Sequence, residues 1–503
     1  MDRLIKNNRH RKSSADHSSL LAATQSDRAR LIYSAAFRRL QQKAQVFSLE
    51  SNSSVRSRLT HSIEVSHIGR YIVGAIFEKI KTNDNFDDKI KEYWIEHNLA
   101  ISNVVETACL MHDIGNPPFG HFGEAAIIRW SKSDAIKKSI RKALVNKPNN
   151  QELNDLLHDI NNFDGNPQGL RVIARLQGDD GYFGLNLTYT QIAAFLKYTC
   201  CPNDKNSKCY FNKKIGYFDC ERKLIESAWD SLGMPHGSRH PLGFLMEASD
   251  DISYCISDIE DGLEKKVISF DNFKCFTIER LNALKSSHFH YAQICQELIS
   301  RLTQDNESPI GNFLSFKTKL SNFLVDQVAN RFVCNYEKFM SFTYNCELIS
   351  EEDFEFHLLK ILKDYTSTYL FTSAEAETME LSGFAIIKGI LDEYLNLLSL
   401  TKNEFTLLVV KDNKNIRKND LDIQRRLFNR LPSKHLNAYK TSLFNCPLND
   451  NGYSESEISA KLESIDEKVE WKLRVHLIVD FVSGMTDQFA MDMYQMLKGI
   501  KVM

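Results

Sequence analysis

Residues 61–80 read HSIEVSHIGRYIVGAIFEKI. The apolar residues Val65, Ile68, Ile72, Ile76 and Ile80 recur every three or four positions, the spacing of one helix face and not the two-residue period of a strand. His61 lies one turn before Val65 on that same stripe. Residues 102–114, SNVVETACLMHDI, repeat the pattern with Val104, Val105, Ala108, Cys109 and Met111, and Ser102 reads as the N-cap. Gly115-Asn116-Pro117-Pro118 ends that helix, because neither proline can donate to a continuing ladder. Residues 243–264, 376–400 and 469–498 read as three further long helices. The best strand candidate is the short run Phe405–Val410. The expected fold class is all-α, with few short strands.

Composition fits this. The 503 residues are 43% hydrophobic and 25% charged, the profile of a folded globular protein and not of a disordered chain. The 21 glycines and 10 prolines are too few for a turn-dense β architecture. No apolar run reaches the roughly 18 residues of a membrane helix. The opening MDRLIKNNRHRKSS is charged from its second residue and has no apolar secretory core, so a cytoplasmic address is expected. The net charge is −2, yet residues 1–58 carry twelve Lys/Arg against four acids, a local excess of +8 that suits a polyanion. Cys200, Cys201, Cys209 and Cys220 lack the paired CxxC knuckles of a structural zinc site. Polar breaks fall near 82–90, 145–165, 200–215, 303–312 and 411–420.

Three separated segments offer metal ligands. His61 lies on the first stripe, and His112-Asp113 closes the second helix. In MEASDDISYCISDIED, Asp250, Tyr254 and Asp258 stand at i, i+4 and i+8, on one face. Taken singly, a histidine on an apolar face is usually a satisfied core residue. A carboxylate on the buried face of a long helix must be paired or bound to a cation. Two His and two Asp together suit a single divalent ion with water completing its shell. The chemistry that follows is Lewis-acid activation of water or of a phosphoryl oxygen.

The order H…HD…D resembles the HD-domain metal phosphohydrolases. The flanking sequence is more specific. RRLQQKAQVF (38–47), RSRLTHSIEV (56–65), CLMHDIGNPPFGHFGEAAI (109–127), NFDGNPQGLR (162–171), LKYT (196–199), MEASDDISY (246–254) and DFVSGMTDQFA (480–490) resemble the long type of bacterial deoxyguanosinetriphosphate triphosphohydrolases. The likeness runs from about residue 26 to the C-terminus and is looser in 128–160, 200–240 and 270–375.

This resemblance implies a helical HD core with added helical regions. It divides the chain into a basic segment (1–25), a metal and catalytic core (26–265), and a C-terminal region (266–503) that completes the nucleotide site and the oligomer contacts. It implies one divalent metal per subunit, Mg²⁺ or Mn²⁺, on His61, His112, Asp113 and Asp250. The reaction implied is dGTP hydrolysis to 2′-deoxyguanosine and triphosphate, by water addition at the α-phosphorus. In the Gly/Pro-rich turn GNPPFGHFGE, His121 would move a proton or orient the water, and Glu124 would fix its tautomer. The alternative for His121 is a cap on the next helix, expected to begin near Gly123. By resemblance Asn166, Lys197, Tyr198 and Lys214 meet the triphosphate. Tyr254 lies under the sugar, and Asp258 and Gln45 take the 3′-hydroxyl. Phe371, Glu380 and Arg426 face the base, with Arg417 a further possibility. Homo-oligomers, hexamers in the close bacterial members, and single-stranded-DNA binding complete what the family implies. Three alternatives stay open: a broader dNTP hydrolase, another HD-domain phosphodiesterase, and a DNA-binding protein whose metal is structural.

Overall fold

The structure, a computed structural model, describes residues 1–13, 17–50, 52–178, 182–304, 308–448 and 452–501. Among the described residues there are 25 α-helices and no sheet, only the isolated bridges Arg9–Thr188 and Ala44–Ser57. The all-α expectation holds.

The 61–80 stripe lies in the helix Arg58–Thr82, which a Ser57/Thr60 capping box starts. Val65, Ile72, Ile76 and Ile80 are buried completely. Its neighbour is the helix Asp88–Met111. Gly69 lets the two approach closely, since a Cβ there would meet Cys109 Sγ at 2.8 Å and Val105 Cγ1 at 3.1 Å. The helix Pro241–Glu264 packs on both, and Pro309–Cys334 packs on the first. These helices share one apolar core, which continues through residues 270–370. A second core joins Gly120–Ser131 and Ala374–Leu398 to the last two described helices, Glu467–Ser483 and Asp487–Leu497. A third joins the N-terminal segment, with Leu4 buried, to residues 170–234.

Four boundaries differ from expectation. Ser102 is not a cap, because the helix of His112 starts fourteen residues earlier, at Asp88, with Asp87 accepting from Ile90 N–H. Residues 469–498 are two helices, broken at Gly484, and the N-cap of the second is Thr486. The helix after the Pro-Pro turn starts at Gly120 and not Gly123. Phe405–Val410 is not a strand: Lys402–Val409 is a helix with a Thr401/Glu404 capping box, burying Phe405, Leu408 and Val409 on one face. The short polar breaks likewise hold small helices, at Asn150–Leu156 and Asn413–Lys418.

The cysteines 200, 201, 209 and 220 do not gather. Cys200 donates to the carbonyls of Asn212 and Lys214, Cys201 accepts from Arg222, and Cys220 lies between Arg171 and Glu221.

Candidate metal and nucleotide site

The three ligand-bearing segments meet because the helices carrying them pack side by side. His61 stands in the first turn of its helix, His112 caps the end of the second, and Asp250 lies midway along Pro241–Glu264. His112 Nδ1–H donates to Cys109 O at 2.7 Å, which leaves Nε2 as the ring atom that faces the carboxylates. That Nε2 is 3.4 Å from Asp250 Oδ1 and 3.6 Å from Asp113 Oδ1. His61 Nε2 is 3.3 Å from the same Asp250 oxygen. One ligand atom each from His61, His112 and Asp250 lies within 4.8 Å of the others, and Asp113 flanks them. Two nitrogens and hard carboxylate oxygens at this spacing fit one divalent ion.

The charges are arranged to keep the carboxylates ionised. Burial opposes ionisation of Asp113, but the Arg58 guanidinium, 2.6 Å away, and the two imidazoles hold it down at about 2. Asp250 is likewise held well below the usual carboxylate range, by His112 and His61 against burial. Burial lowers the His112 pKa, but Asp113 and Asp250 outweigh it and lift it to about 9. Arg58 went unassigned in the sequence, although it stands one turn before His61 on the same helix face.

The ligands open on a cleft of about 480 Å³. Gln45, His61, His112, Asp113, His121, Glu124, Asn166, Lys197, Tyr198, Lys214, Asp250, Tyr254, Phe371 and Glu380 all line it. Asn116, Asp164, Phe122 and Met379 line it too, and sequence reading had not singled them out. Asp258 lies one turn beyond Tyr254, fully buried beneath the wall. Burial and Asp261 hold its pKa well above the usual value, against the opposing effect of the Tyr254 hydroxyl beside it. Gln45 Oε1 is buried without a hydrogen-bond partner among the described residues. Arg426 does not line the cleft: its side chain is 64% exposed and turns back to Asp422 of its own helix. Arg417 does not line it either.

His121 is in the first turn of Gly120–Ser131, 81% exposed, and its Nδ1 is 2.9 Å from Glu124 Oε2. That hydrogen bond is the main cause of a raised His121 pKa, with the cations Arg58 and Lys214 opposing. The other Glu124 oxygen accepts from Gly165 N–H at 2.8 Å, so the pair is anchored to the Asn166 helix, Gly165–Arg171. The turn before it is strained. Phe119 has φ +61°, a left-handed conformation uncommon for a non-glycine residue. Gly115 explains the tight contact with the Asn166 helix, since a Cβ there would meet Gly169 N at 2.0 Å.

On the opposite wall Lys197 Nζ is 3.4 Å from Glu247 Oε1. Burial lowers its pKa, but Glu247, Asp251 and Asp250 raise it further, so it stays a cation. Lys214 Nζ is 3.0 Å from Asp164 Oδ2. The lysines, the Arg58 guanidinium and His121 give this end of the cleft positive donors for phosphate oxygens.

Among the described residues a second group, Asp159, Cys220 and His476, also brings metal-ligand atoms together. There the Arg171 guanidinium lies 3.3 Å from Cys220 Sγ and opposes a cation. No helix among the described residues is long and apolar enough to cross a membrane.

Comparison with known proteins agrees with this site. The HD domain family matches residues 58–157, the stretch that carries His61, His112 and Asp113. The deoxyguanosinetriphosphate triphosphohydrolase of Salmonella typhimurium is 35% identical over 516 residues, covering 96% of this chain and 94% of that protein. The protein of the same name from Yersinia pseudotuberculosis is 35% identical over 517 residues, covering 96% and 95%. That of Yersinia enterocolitica is 35% identical with the same coverage. With the HD ligands gathered in one cleft and relatives alike over nearly the whole of both chains, this chain belongs to the deoxyguanosinetriphosphate triphosphohydrolase family of HD-domain proteins.

Proposed function

We propose that the protein hydrolyses dGTP to 2′-deoxyguanosine and triphosphate. The observation that carries this reading is the placement of the His121–Glu124 pair in the same cleft as the His61–His112–Asp250 cluster, beside lysines. A site that served structure alone would need no acid–base pair beside it. The expected ligands are His61, His112, Asp113 and Asp250, holding one Mg²⁺ or Mn²⁺. When bound, the ion supplies Lewis-acid polarisation at the α-phosphate.

The chain's own groups do the rest. Lys197, Lys214, Tyr198 and Asn166 bind the triphosphate, and Arg58 adds a buried guanidinium near the metal end. Water adds at the α-phosphorus, and the bond to the 5′-oxygen breaks. His121, kept protonated by Glu124, gives a proton to that departing oxygen. Tyr254 packs under the sugar, where a ribose 2′-hydroxyl would collide with the ring. Gln45 Oε1, buried without a hydrogen-bond partner among the described residues, suits a 3′-hydroxyl donor, and Asp258 behind Tyr254 is the second acceptor on that side. Phe371 and Glu380 face the base, Phe371 to stack and Glu380 to accept from guanine N1–H and the amino group. Arg426, exposed in the single chain, fits a base contact only across a subunit interface. The homo-hexamer and single-stranded-DNA binding that the resemblance implies, and the cytoplasmic address expected from the charged opening, belong to the same reading.

The test is product analysis. Purified protein is incubated with each of the four dNTPs and with GTP, with Mg²⁺ or Mn²⁺, and the products are resolved by ion exchange. The expected result is deoxyguanosine and intact triphosphate, chiefly from dGTP. Equal turnover of all four dNTPs would support the broader dNTP hydrolase. Release of phosphate or pyrophosphate would contradict the placement of the α-phosphorus. DNA binding without turnover, in protein that holds metal, would favour the structural-metal alternative.

A further inference from the structure

Three stretches far apart in sequence bring side chains to the cleft: Lys43–Ser48 with Gln45, the turn Asn116–Glu124 with His121, and the helix Gly165–Arg171 with Asn166. All three are tied to one short segment, Asp480–Asp487, at the junction of the last two described helices. Asp487 Oδ2 accepts from Ala44 N–H at 3.0 Å, and Oδ1 accepts from Phe119 N–H at 3.1 Å. Lys43, 3% exposed, donates from Nζ to Asn116 O at 2.5 Å and to Ser483 O at 2.9 Å. Asp480 Oδ1 accepts from Gln168 Nε2 at 3.0 Å and from Arg171 Nε at 2.8 Å. Asp480 and Asp487 are each 2% exposed.

We propose that Asp487 is a positioning residue for the chemistry. Its carboxylate fixes the His121 turn against the Gln45 stretch, so that the acid–base group and the sugar-binding group are held at one distance. Both oxygens are used, one on each stretch, so the carboxylate sets a relative position and does not merely cap one end. The N–H it holds on the turn belongs to Phe119, whose left-handed backbone persists only where its surroundings over-determine it. The Gln45 stretch is fixed in turn to the metal helix, because Arg58 N–H donates to Lys43 O at 2.9 Å beside the Ala44–Ser57 bridge. The motif DFVSGMTDQFA, which touches no substrate in the proposed reaction, thereby acquires a role. The inference rests on the reading of His121 as the acid–base group.

The experiment is a double-mutant cycle on the full-length enzyme. The kcat for dGTP is measured for wild type, Asp487→Asn, His121→Ala and the double variant, well below each melting temperature. Asp487→Asn keeps the size but leaves one N–H facing an amide. Misplacement of a reacting group by about 1 Å costs on the order of 100-fold, so a fall in kcat of roughly 10- to 100-fold is expected. In the His121→Ala background the same substitution is expected to cost less than about threefold, because the group it positions is gone. Met493→Ala, six residues further along the same helix and in none of these hydrogen bonds, is expected to lower the melting temperature with kcat retained. If Asp487→Asn fails to fold, Lys43→Met, which cuts the bonds to Asn116 and Ser483, is expected to show the same dependence on His121. Equal losses in both backgrounds, an unchanged kcat in Asp487→Asn, or a loss in Met493→Ala as large as that in Asp487→Asn would overturn the inference. An unchanged kcat in His121→Ala would overturn the acid–base reading itself and this inference with it.

Discussion

The two ends of the cleft are built differently. At the metal end His61 and Asp250 come from packed helices and His112 and Asp113 from the end of a third, and three of the four are held by a second group: Asp113 by Arg58, His112 by Cys109 O, and Asp250 by both imidazoles. At the base end Phe371 and Glu380 stand at the start of the helix Ala374–Leu398, among exposed neighbours such as Glu377 and Leu381. Among the described residues Arg426 is held only by its own helix. On the proposed reading the fold fixes the chemistry, and the choice of base would rest on a few side chains whose positions the fold constrains weakly. Substitutions at the first end should abolish turnover, and those at the second should redirect it.

The comparison breaks most easily at the metal. His112→Ala and Asp250→Ala are expected to lose turnover below detection and to lose Mn²⁺ binding measured by calorimetry. Retained metal affinity in both would remove the ligand assignment. Next is the acid–base pair. His121→Ala is expected to lower kcat by about 10²- to 10⁴-fold with little change in metal affinity.

The pair also has a pH signature. Glu124 raises the His121 pKa, so the protonated acid persists above the ordinary histidine range, and activity falls only as pH rises through that raised value. In Glu124→Gln the support is gone, and the alkaline limb of kcat should move to lower pH. An unmoved limb would assign it to another group.

Lys197→Ala removes a buried cation from the triphosphate wall. A hydrogen bond to a charged group contributes about 1.5–3 kcal/mol, so the KM for dGTP should rise roughly tenfold or more. The smallest expected effect on rate lies at the base end. Glu380→Gln should change dGTP turnover by about tenfold or less while narrowing its lead over dATP, measured by competition between the two. A collapse of all activity in Glu380→Gln would mean that the base end is as firmly built as the metal end.

What the sequence made legible follows the same division. The 61–80 stripe, the HD pair before Gly-Asn-Pro-Pro, and the i, i+4, i+8 set on Pro241–Glu264 are local patterns, and the helices stand where the patterns put them. Errors arose both where a local signal was weak or ambiguous and where a distant contact left no trace. Phe405–Val410 is apolar and β-branched enough to resemble a strand, but its capping box and buried face make it a helix. The break at Gly484 carries only a weak signal, a single glycine in a helical pattern. Arg58 could have been found from its i, i+3 spacing to His61. The link between Asp487 and Phe119 spans 368 residues and leaves no local trace. The positions of Glu380 and Arg426 were illegible for a physical reason: neither has a packed environment in the single chain that would dictate it.

The most direct test of the central claim follows the oxygen of the attacking water. dGTP is hydrolysed in H₂¹⁸O with Mg²⁺ or Mn²⁺, and both products are analysed by mass spectrometry. Attack at the α-phosphorus puts one ¹⁸O in the triphosphate and none in the deoxyguanosine. Label in the deoxyguanosine 5′-oxygen, or label in released phosphate or pyrophosphate, would contradict the account.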